Sequence, residues 1–190
     1  MTTVMIPEWN ANGLLPPHNT AEPASAERSP YPVALLDVVM RFDTSAERRK
    51  VLAGFLDFRA ALHKMGLVDG FQWLDGSFME HVERLENRGP RDIDVVTFVN
   101  LPTEFAPTDE DLAAFEHDTV KERFSVDSYI VELNQVSADN LVRKSAYWYS
   151  MWSHRRNQEW KGFLQIDLHP AHDEEARRYL TRVEKMGSWS

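Results

Sequence analysis

The sequence predicts an α/β (α+β) protein with a mixed β-sheet of about four to five strands and helices packed against it. Two observations lead to this fold class. Segments with apolar residues at helical spacing alternate along the chain with short β-branched or aromatic segments, as in sheets covered by helices. The 190 residues, of which 43% are hydrophobic and 27% charged, are typical of one globular domain that buries a core.

The first 32 residues are predicted to form an extended N-terminal arm. Six of the ten prolines lie there, together with a turn-like Asn12-Gly13 pair. Proline fixes φ and removes a backbone donor, so regular structure is not expected in this segment. The arm is either draped on the body of the protein or loose. The single domain is predicted to span residues 33–190.

The elements of the domain follow from periodicity and from cap and turn signals. The first helix is expected from Ala46 to Leu67, with Thr44 or Ser45 as its N-cap. Strands, recognised by alternation or by β-branched and aromatic residues, are expected at 71–74, 93–99, 124–133 and 160–168. Further helices are expected at 78–85, 108–118, 138–155 and 173–185. The element order is α-β-α-β-α-β-α-β-α, and the order of strands within the sheet stays open.

Charge and composition exclude several classes of protein. The formal net charge of −9 argues against a nucleic-acid coat protein and against a duplex DNA partner, because Lys and Arg must neutralise the phosphates. The chain has no cysteine, which excludes disulfides, thiolate zinc sites and cysteine nucleophiles. No apolar stretch reaches about eighteen residues and no leader is visible. We therefore expect a soluble, cytoplasmic protein without a membrane partner.

The most unusual feature of the sequence is the pair Asp92 and Asp94 within an apolar segment predicted to be a strand. Residues two apart in a strand project from the same face. Their carboxylates would repel each other and would be costly to bury unpaired. A divalent cation relieves both problems, because Mg²⁺ prefers hard oxygen ligands. The alternative is that both residues lie at a solvated strand end.

A Gly76-Ser77 turn after the preceding strand adds a feature that suits phosphate. Glycine allows the backbone to approach a ligand closely, and the N-terminus of the helix expected next attracts anions. Phosphate beside a carboxylate-held magnesium ion is nucleotide chemistry. A third carboxylate, Asp127, lies in a later strand segment, where its alternative role is that of a satisfied or edge-exposed aspartate.

These residues resemble the motifs of the nucleotidyltransferase superfamily, which has a polymerase-β-like fold. The matching residues are Gly76, Ser77, Asp92, Asp94 and Asp127, with fourteen residues between Ser77 and Asp92. A narrower resemblance covers nearly the whole chain and is to a small uncharacterised family of bacterial and phage nucleotidyltransferase-like proteins. It rests on the following residues: Ile6-Pro7, Asn10, Gly13, Leu15-Pro16, Arg48-Arg49, Asp75 to Phe78, Asp92 to Asp94, and Lys161-Gly162.

The resemblance implies transfer of a nucleoside monophosphate from an NTP to a hydroxyl of a protein, an RNA end or a small molecule. A toxin–antitoxin or phage-defence setting is suggested by small members of the superfamily. Asp92, Asp94 and Asp127 would be catalytic and would hold two Mg²⁺ ions, for which Mn²⁺ can substitute. Gly76 and Ser77 would clamp the β- and γ-phosphates. The alternative is an inactive binding module of this fold that acts through a protein or nucleotide partner.

Residues 141–162 form the only concentrated basic stretch, with five Lys or Arg residues and one Glu. On the helix after the third carboxylate, Arg143 and Lys144 are the candidates for binding the triphosphate. The tryptophans of this stretch are predicted to be core residues because of their helical spacing, with base stacking as the alternative. They are Trp148, Trp152 and Trp160.

Three other acidic residues near the Gly-Ser turn are not expected to be catalytic. Glu80 and Glu83 are expected to be solvated on the following helix. Asp75 is expected to shape the turn or to contact solvent. The acceptor, the preferred base and the oligomeric state stay open at this point.

Overall fold

The structure is a computed structural model that describes residues 3–187. Residues 1–2 and 188–190, at the ends of the predicted arm and domain, lie outside the described part. The strands are β1 (Tyr31–Pro32), β2 (Gly70–Asp75), β3 (Ile93–Val99), β4 (Val126–Glu132) and β5 (Leu164–Asp167). They form one mixed sheet in the order β1-β5-β2-β3-β4. β1 is parallel to β5 and β3 is parallel to β4, whereas β2 is antiparallel to both β3 and β5. The predicted fold class is confirmed.

Seven α-helices are present in the described residues. They are α1 (Leu35–Phe42), α2 (Ala46–Lys64), α3 (Val82–Glu86), α4 (Asp109–Ala114), α5 (His117–Phe124), α6 (Ala138–Trp152) and α7 (Asp173–Gly187). The Ser45 side chain accepts a hydrogen bond from the Arg48 N–H, which confirms this residue as the N-cap of α2. Among these helices, none has the length and apolar character needed to cross a membrane.

Three helical segments differ from the sequence predictions. No helix or strand was predicted for residues 35–42, which form α1. The segment expected to be one acidic helix divides into α4 and α5, because a capping box at Thr108 fixes the start of α4 and Glu116 leaves the helical conformation. The helix expected at 78–85 is replaced by a 3₁₀ turn at Ser77–Met79 and the short α3.

One face of the sheet packs against four helices and forms the main core. The helices on this face are α1, α2, α5 and α7, and they cover strand residues such as Leu74, Val95 and Val126. Because the side chains of a strand alternate between faces, the neighbouring strand residues project to the other side. The main core is thus built from alternate residues of the central strands.

The opposite face of the sheet packs against α6 and forms a smaller aromatic cluster. Trp148 and Trp152 of α6 contact Trp73, Val96 and Phe163 there. Trp148 and Trp152 are therefore core residues, as predicted. Trp160 precedes β5 instead and is 62% exposed, so the core prediction is wrong for this tryptophan.

The N-terminal arm, described from residue 3, is draped on the domain. Leu14 and Leu15 are buried, and the end of the arm forms β1 beside β5. The Gly13 carbonyl accepts a hydrogen bond from His81 N–H at 2.8 Å, and the Leu15 carbonyl accepts one from Gly162 N–H at 2.7 Å. The arm is therefore hydrogen-bonded to the segments that immediately precede α3 and β5.

Helix α2 packs closely against the end of α5 at Gly54. A Cβ atom placed on Gly54 would lie 2.1 Å from the carbonyl oxygen of Phe124. Helix propensity alone favours alanine over glycine by about 1 kcal/mol, but overpacking against backbone costs about 1–3 kcal/mol or more. We expect Gly54→Ala to lower the free energy of unfolding by about 2 kcal/mol, measured by urea denaturation.

Ala60, exposed on the same helix, provides the matched control. Ala60→Gly should lower the free energy of unfolding by about 1 kcal/mol, as intrinsic propensity requires. A Gly54→Ala variant more stable than the parent would contradict the packing of α2 against Phe124.

Candidate functional site

One end of the sheet collects carboxylates from three neighbouring strands. Asp75, the last residue of β2, is paired with Asp94 of β3, and Asp94 is paired with Asp127 of β4. Directly opposed residues of adjacent strands project from the same face, so the three side chains form a row. Asp92 lies two residues before Asp94 and on the same side. The three carboxylates predicted from the sequence are thus brought together, with Asp75 as a fourth.

These carboxylates line a cleft with a volume of about 880 Å³. All five residues that carried the sequence motif line it, namely Gly76, Ser77, Asp92, Asp94 and Asp127. The cleft also contains cationic side chains from several elements: Arg88, Arg91, Lys121, Arg155, Arg156 and Lys161. The site therefore combines hard oxygen donors with groups that attract anions.

Gly76 is required at its position for two reasons. Its φ of 83° lies in the left-handed region, where a side chain is disfavoured. A Cβ atom on Gly76 would also lie 2.7 Å from the Asp94 carboxyl carbon. The glycine therefore lets the Asp94 carboxylate lie directly against the turn, so that the two halves of the motif are in contact.

The turn after Gly76 is stabilised by hydrogen bonds from a buried arginine and does not continue into a regular helix. The fully buried Arg48 donates to the carbonyl oxygens of Phe78 at 2.7 Å and Glu80 at 2.6 Å. These carbonyls are thereby taken from a continuing helix, which explains why the predicted helix at 78–85 does not form. The Arg48 Nε also lies 2.6 Å from Glu83 Oε1. The expectation that Glu83 is simply solvated is wrong.

Lys161 is buried between Asp75 and Glu80. Its Nζ atom lies 2.9 Å from Asp75 Oδ1 and 3.2 Å from Glu80 Oε1. Arg155 Nε lies 3.2 Å from the second oxygen of Glu80. Asp75 and Glu80 are both buried, so the expectation that Glu80 is solvated is wrong, and contact with solvent is excluded as one of the two roles expected for Asp75. The lysine supplies the charge that allows both carboxylates to leave water.

The buried pair at Asp75 has shifted protonation equilibria. Burial raises the pKa of Asp75 to about 6, although the Lys161 ammonium opposes this shift. Burial acts to lower the pKa of Lys161, but attraction to Asp75 and Glu80 is stronger, and the pKa is raised. The lysine is therefore charged at neutral pH.

The Asp94 carboxylate is repelled by three other carboxylates of the cleft. Burial raises the pKa of Asp94 to about 7, and repulsion from Asp75, Asp127 and Asp92 adds to the shift. The repulsion between Asp92 and Asp94 expected from their spacing is thus present in the folded chain. A cation near Asp94 would relieve it.

Lys121 of α5 bridges two of the predicted catalytic carboxylates. Its Nζ atom lies 2.9 Å from Asp92 Oδ2 and 2.9 Å from Asp127 Oδ2. These hydrogen bonds raise the pKa of Lys121. The other oxygen of Asp127 is buried and has no hydrogen-bond partner in the described part of the chain; His117 Nε2 lies 3.5 Å from it.

The donor set suits a divalent cation chemically. Three carboxylates supply hard oxygens of the kind that Mg²⁺ prefers, and the buried Oδ1 atom of Asp127 makes no hydrogen bond with a described residue. Within residues 3–187, however, no three His, Asp or Glu side chains are already placed to hold a metal ion together. The Lys121 ammonium lies between Asp92 and Asp127, so it must move before the oxygens that it contacts can coordinate one ion.

The structure does not bring Arg143 and Lys144 to the cleft. Both are exposed near the start of α6, and Arg143 Nε pairs with Asp139 Oδ2 at 2.9 Å. Two cations that the sequence analysis did not single out for this role, Arg91 and Arg156, line the cleft instead. Arg91 could have been recognised from its position directly before Asp92, and Arg156 from its position in the basic stretch at residues 141–162.

Fold and site together define a mixed α/β domain with a carboxylate-lined cleft at one end of its sheet. A family model described as "Family of unknown function (DUF6932)" matches residues 7–167. The chain belongs to this family. No curated protein and no solved structure matches the chain. The matched range contains every residue that lines the cleft.

Proposed function

We propose that the chain is a metal-dependent nucleotidyltransferase that transfers a nucleoside monophosphate from an NTP to a hydroxyl of a protein, an RNA end or a small molecule. The proposal rests mainly on the convergence of Asp92, Asp94 and Asp127 beside the Gly76-Ser77 turn in one cleft. Phosphoryl transfer depends chiefly on positioning and charge neutralisation. A cleft that combines carboxylates with arginines can supply both.

The roles of the residues follow from their places in the cleft. Asp92, Asp94 and Asp127 would hold Mg²⁺, which when bound neutralises phosphate charge and lowers the pKa of the attacking hydroxyl. Ser77, next to Gly76, lies where its hydroxyl and backbone can approach the terminal phosphates. The hydroxyl oxygen bonds to the α-phosphorus, the bond from that phosphorus to the bridging oxygen breaks, and pyrophosphate leaves. The hydroxyl proton passes to solvent.

Arg91 and Arg156 are the candidates for holding the triphosphate. Both are exposed on the cleft, and neither forms an ion pair or a side-chain hydrogen bond with a described residue. Unpaired guanidinium groups are well suited to phosphate oxygens. In a chain with a net charge of −9, two such groups beside a carboxylate cluster favour a polyphosphate ligand bound with a metal ion. The proposed reaction belongs in the cytoplasm, where NTPs and Mg²⁺ are found.

A binding module without catalysis is the second candidate. It is favoured by Lys121, whose ammonium neutralises Asp92 and Asp127 in the absence of a metal ion. In this case the cleft would hold a nucleotide or a partner protein without transferring a group. Metal-dependent NTP binding without transfer would identify this alternative.

The test is incubation of the purified chain with each α-labelled NTP and Mg²⁺ or Mn²⁺, with the chain itself, RNA and small hydroxyl compounds as acceptors. We expect label transfer and pyrophosphate release from the parent. Asp92→Asn/Asp94→Asn should reduce the rate at least about 100-fold. Equal transfer by this variant and the parent would contradict the mechanism.

A second pair of variants tests the triphosphate site. Arg91→Gln/Arg156→Gln should raise the KM for NTP about tenfold with a smaller effect on kcat. Arg143→Gln/Lys144→Gln removes the same charge outside the cleft and should leave both constants unchanged. If only the second pair affects KM, the triphosphate does not bind at Arg91 and Arg156.

A further inference from the structure

Two lysines neutralise carboxylates at this end of the sheet, but they are held very differently. The Lys161 side chain is 7% exposed and lies between Asp75 and Glu80, whose side chains are 3% and 7% exposed. The Lys121 side chain is 45% exposed, and its partners Asp92 and Asp127 are 22% and 19% exposed. Because the Lys121 side chain is already partly in solvent, its ammonium can be rehydrated when it leaves its partners. Release of Lys161 would instead leave two buried carboxylates without this cation.

Lys121 also occupies the place that a bridging metal ion requires. Its ammonium nitrogen is 2.9 Å from one oxygen of each carboxylate, whereas Mg²⁺ binds such oxygens at about 2.0–2.1 Å. The same two oxygens cannot serve both cations at once, and the two cations would repel each other. Binding of a divalent ion through these two oxygens therefore requires release of Lys121.

The surroundings favour the divalent ion once it is present. Asp94 lies beside Asp127 in the sheet, whereas the Lys121 ammonium contacts the carboxylates of Asp92 and Asp127. The buried Asp127 Oδ1 also lacks a hydrogen-bond partner among the described residues, and His117 Nε2 lies 3.5 Å from it. An ion with two positive charges and several coordination positions can satisfy oxygens that one ammonium group leaves unsatisfied.

We propose that Lys121 is an exchangeable internal cation, which neutralises Asp92 and Asp127 when no divalent ion is bound and is displaced when the ion binds. This inference rests on the metal site of the proposed function. Lys121 thereby sets the metal affinity of the cleft, because every binding event must compete with its ammonium group. The long, flexible stem of the lysine on the separate helix α5 allows the displacement without a change in the sheet.

The experiment compares Mn²⁺ binding by Lys121→Gln and by the parent chain without nucleotide, measured by electron paramagnetic resonance of free Mn²⁺. We expect the variant to bind Mn²⁺ about tenfold more tightly, because the competing cation is absent. Arg123→Gln is the matched control, since Arg123 is on the same helix and lies over the Phe124 ring. It removes an equal charge and should change the affinity less than about twofold.

A second measurement follows the lysine itself. Acetylation of Lys121, quantified by mass spectrometry, should become faster when Mg²⁺ is added to the parent, because the ammonium is released from its carboxylates. Lys144, exposed on α6, is the internal reference and should react at the same rate with and without Mg²⁺. Unchanged reactivity of Lys121 at saturating Mg²⁺ would overturn the exchange.

The outcomes separate this inference from the proposed function. If the parent and Lys121→Gln bind Mn²⁺ equally, and Asp92→Asn/Asp94→Asn abolishes that binding, the exchange is overturned and the metal-dependent function stands. If neither the parent nor Lys121→Gln binds Mn²⁺, both the exchange and the metal-dependent function are overturned. Tighter Mn²⁺ binding by Lys121→Gln than by the parent, without a similar gain in Arg123→Gln, supports the exchange.

Discussion

Replacement of Lys161 by methionine should lower the free energy of unfolding by about 3–5 kcal/mol, because it leaves buried carboxylates without their cation. Methionine keeps most of the apolar stem, so the loss reports mainly on charge. Asp75 and Glu80 both contact the ammonium, and among residues 3–187 only Glu80 has a second cationic partner, Arg155. Urea denaturation at pH 8 measures the effect.

The pH dependence of this loss identifies its cause. Without Lys161 the folded-state pKa of Asp75 should rise further above about 6, so the penalty exists above the unfolded-state pKa and disappears as Asp75 takes up a proton. The loss should therefore be smaller at pH 5 than at pH 8. Lys144→Met, at an exposed position, should change stability by no more than about 0.5 kcal/mol. A pH-independent loss for Lys161→Met would point to packing rather than charge.

Asp94→Asn should make the chain more stable and less active at the same time. The folded-state pKa of Asp94 is raised from 3.8 to about 7, so folding takes up a proton between these values. The free energy of unfolding of the parent therefore falls as pH rises from about 4 to 7, and it levels off above pH 7. Asparagine does not titrate, so the difference in free energy of unfolding between the variant and the parent should grow over the same pH interval.

The size of this advantage has an upper limit set by the shift. About three pKa units correspond to about 4 kcal/mol, and solvent screening of the half-buried side chain should reduce this to about 1–2 kcal/mol. Unfolding of parent and variant at pH 4 and pH 8, in the presence of a chelator, measures it. The same variant should lose at least about 100-fold in nucleotide transfer. Equal stability differences at the two pH values would show that Asp94 does not carry the raised pKa.

Much of the sheet could be predicted from sequence because its signals are local. The alternation and β-branched content of residues 93–99 predicted β3 with correct bounds. The side-by-side projection of Asp92 and Asp94 follows from the strand repeat alone. The helix α1 also had a local signal, since Leu35, Val38 and Phe42 recur at helical spacing, but a segment of eight residues gives only a short periodic pattern.

The partners of the charged residues could not be predicted in this way. Whether a lysine or arginine is buried depends on which distant segments fold against it. Arg48 and Glu83 are 35 residues apart, and Lys161 and Asp75 are 86 apart. Arg143 and Lys144 were predicted to bind the triphosphate because they follow Asp127 along the chain. The cleft is instead lined by Arg91 and Arg156, which come from different parts of the fold. Local patterns therefore locate the carboxylates better than their counter-ions.

The N-terminal arm has a consequence for how the chain can be shortened. Its Gly13 and Leu15 carbonyls are bonded to His81 and Gly162, which lie next to the cleft residues Glu80 and Lys161. The arm thus ties together two loops that carry the buried charge network, although it contributes no side chain to the lining. A gene fragment that begins at residue 33 would encode the four strands β2 to β5, but it would lose β1 and would release both loops. The smallest functional unit therefore includes the proline-rich segment.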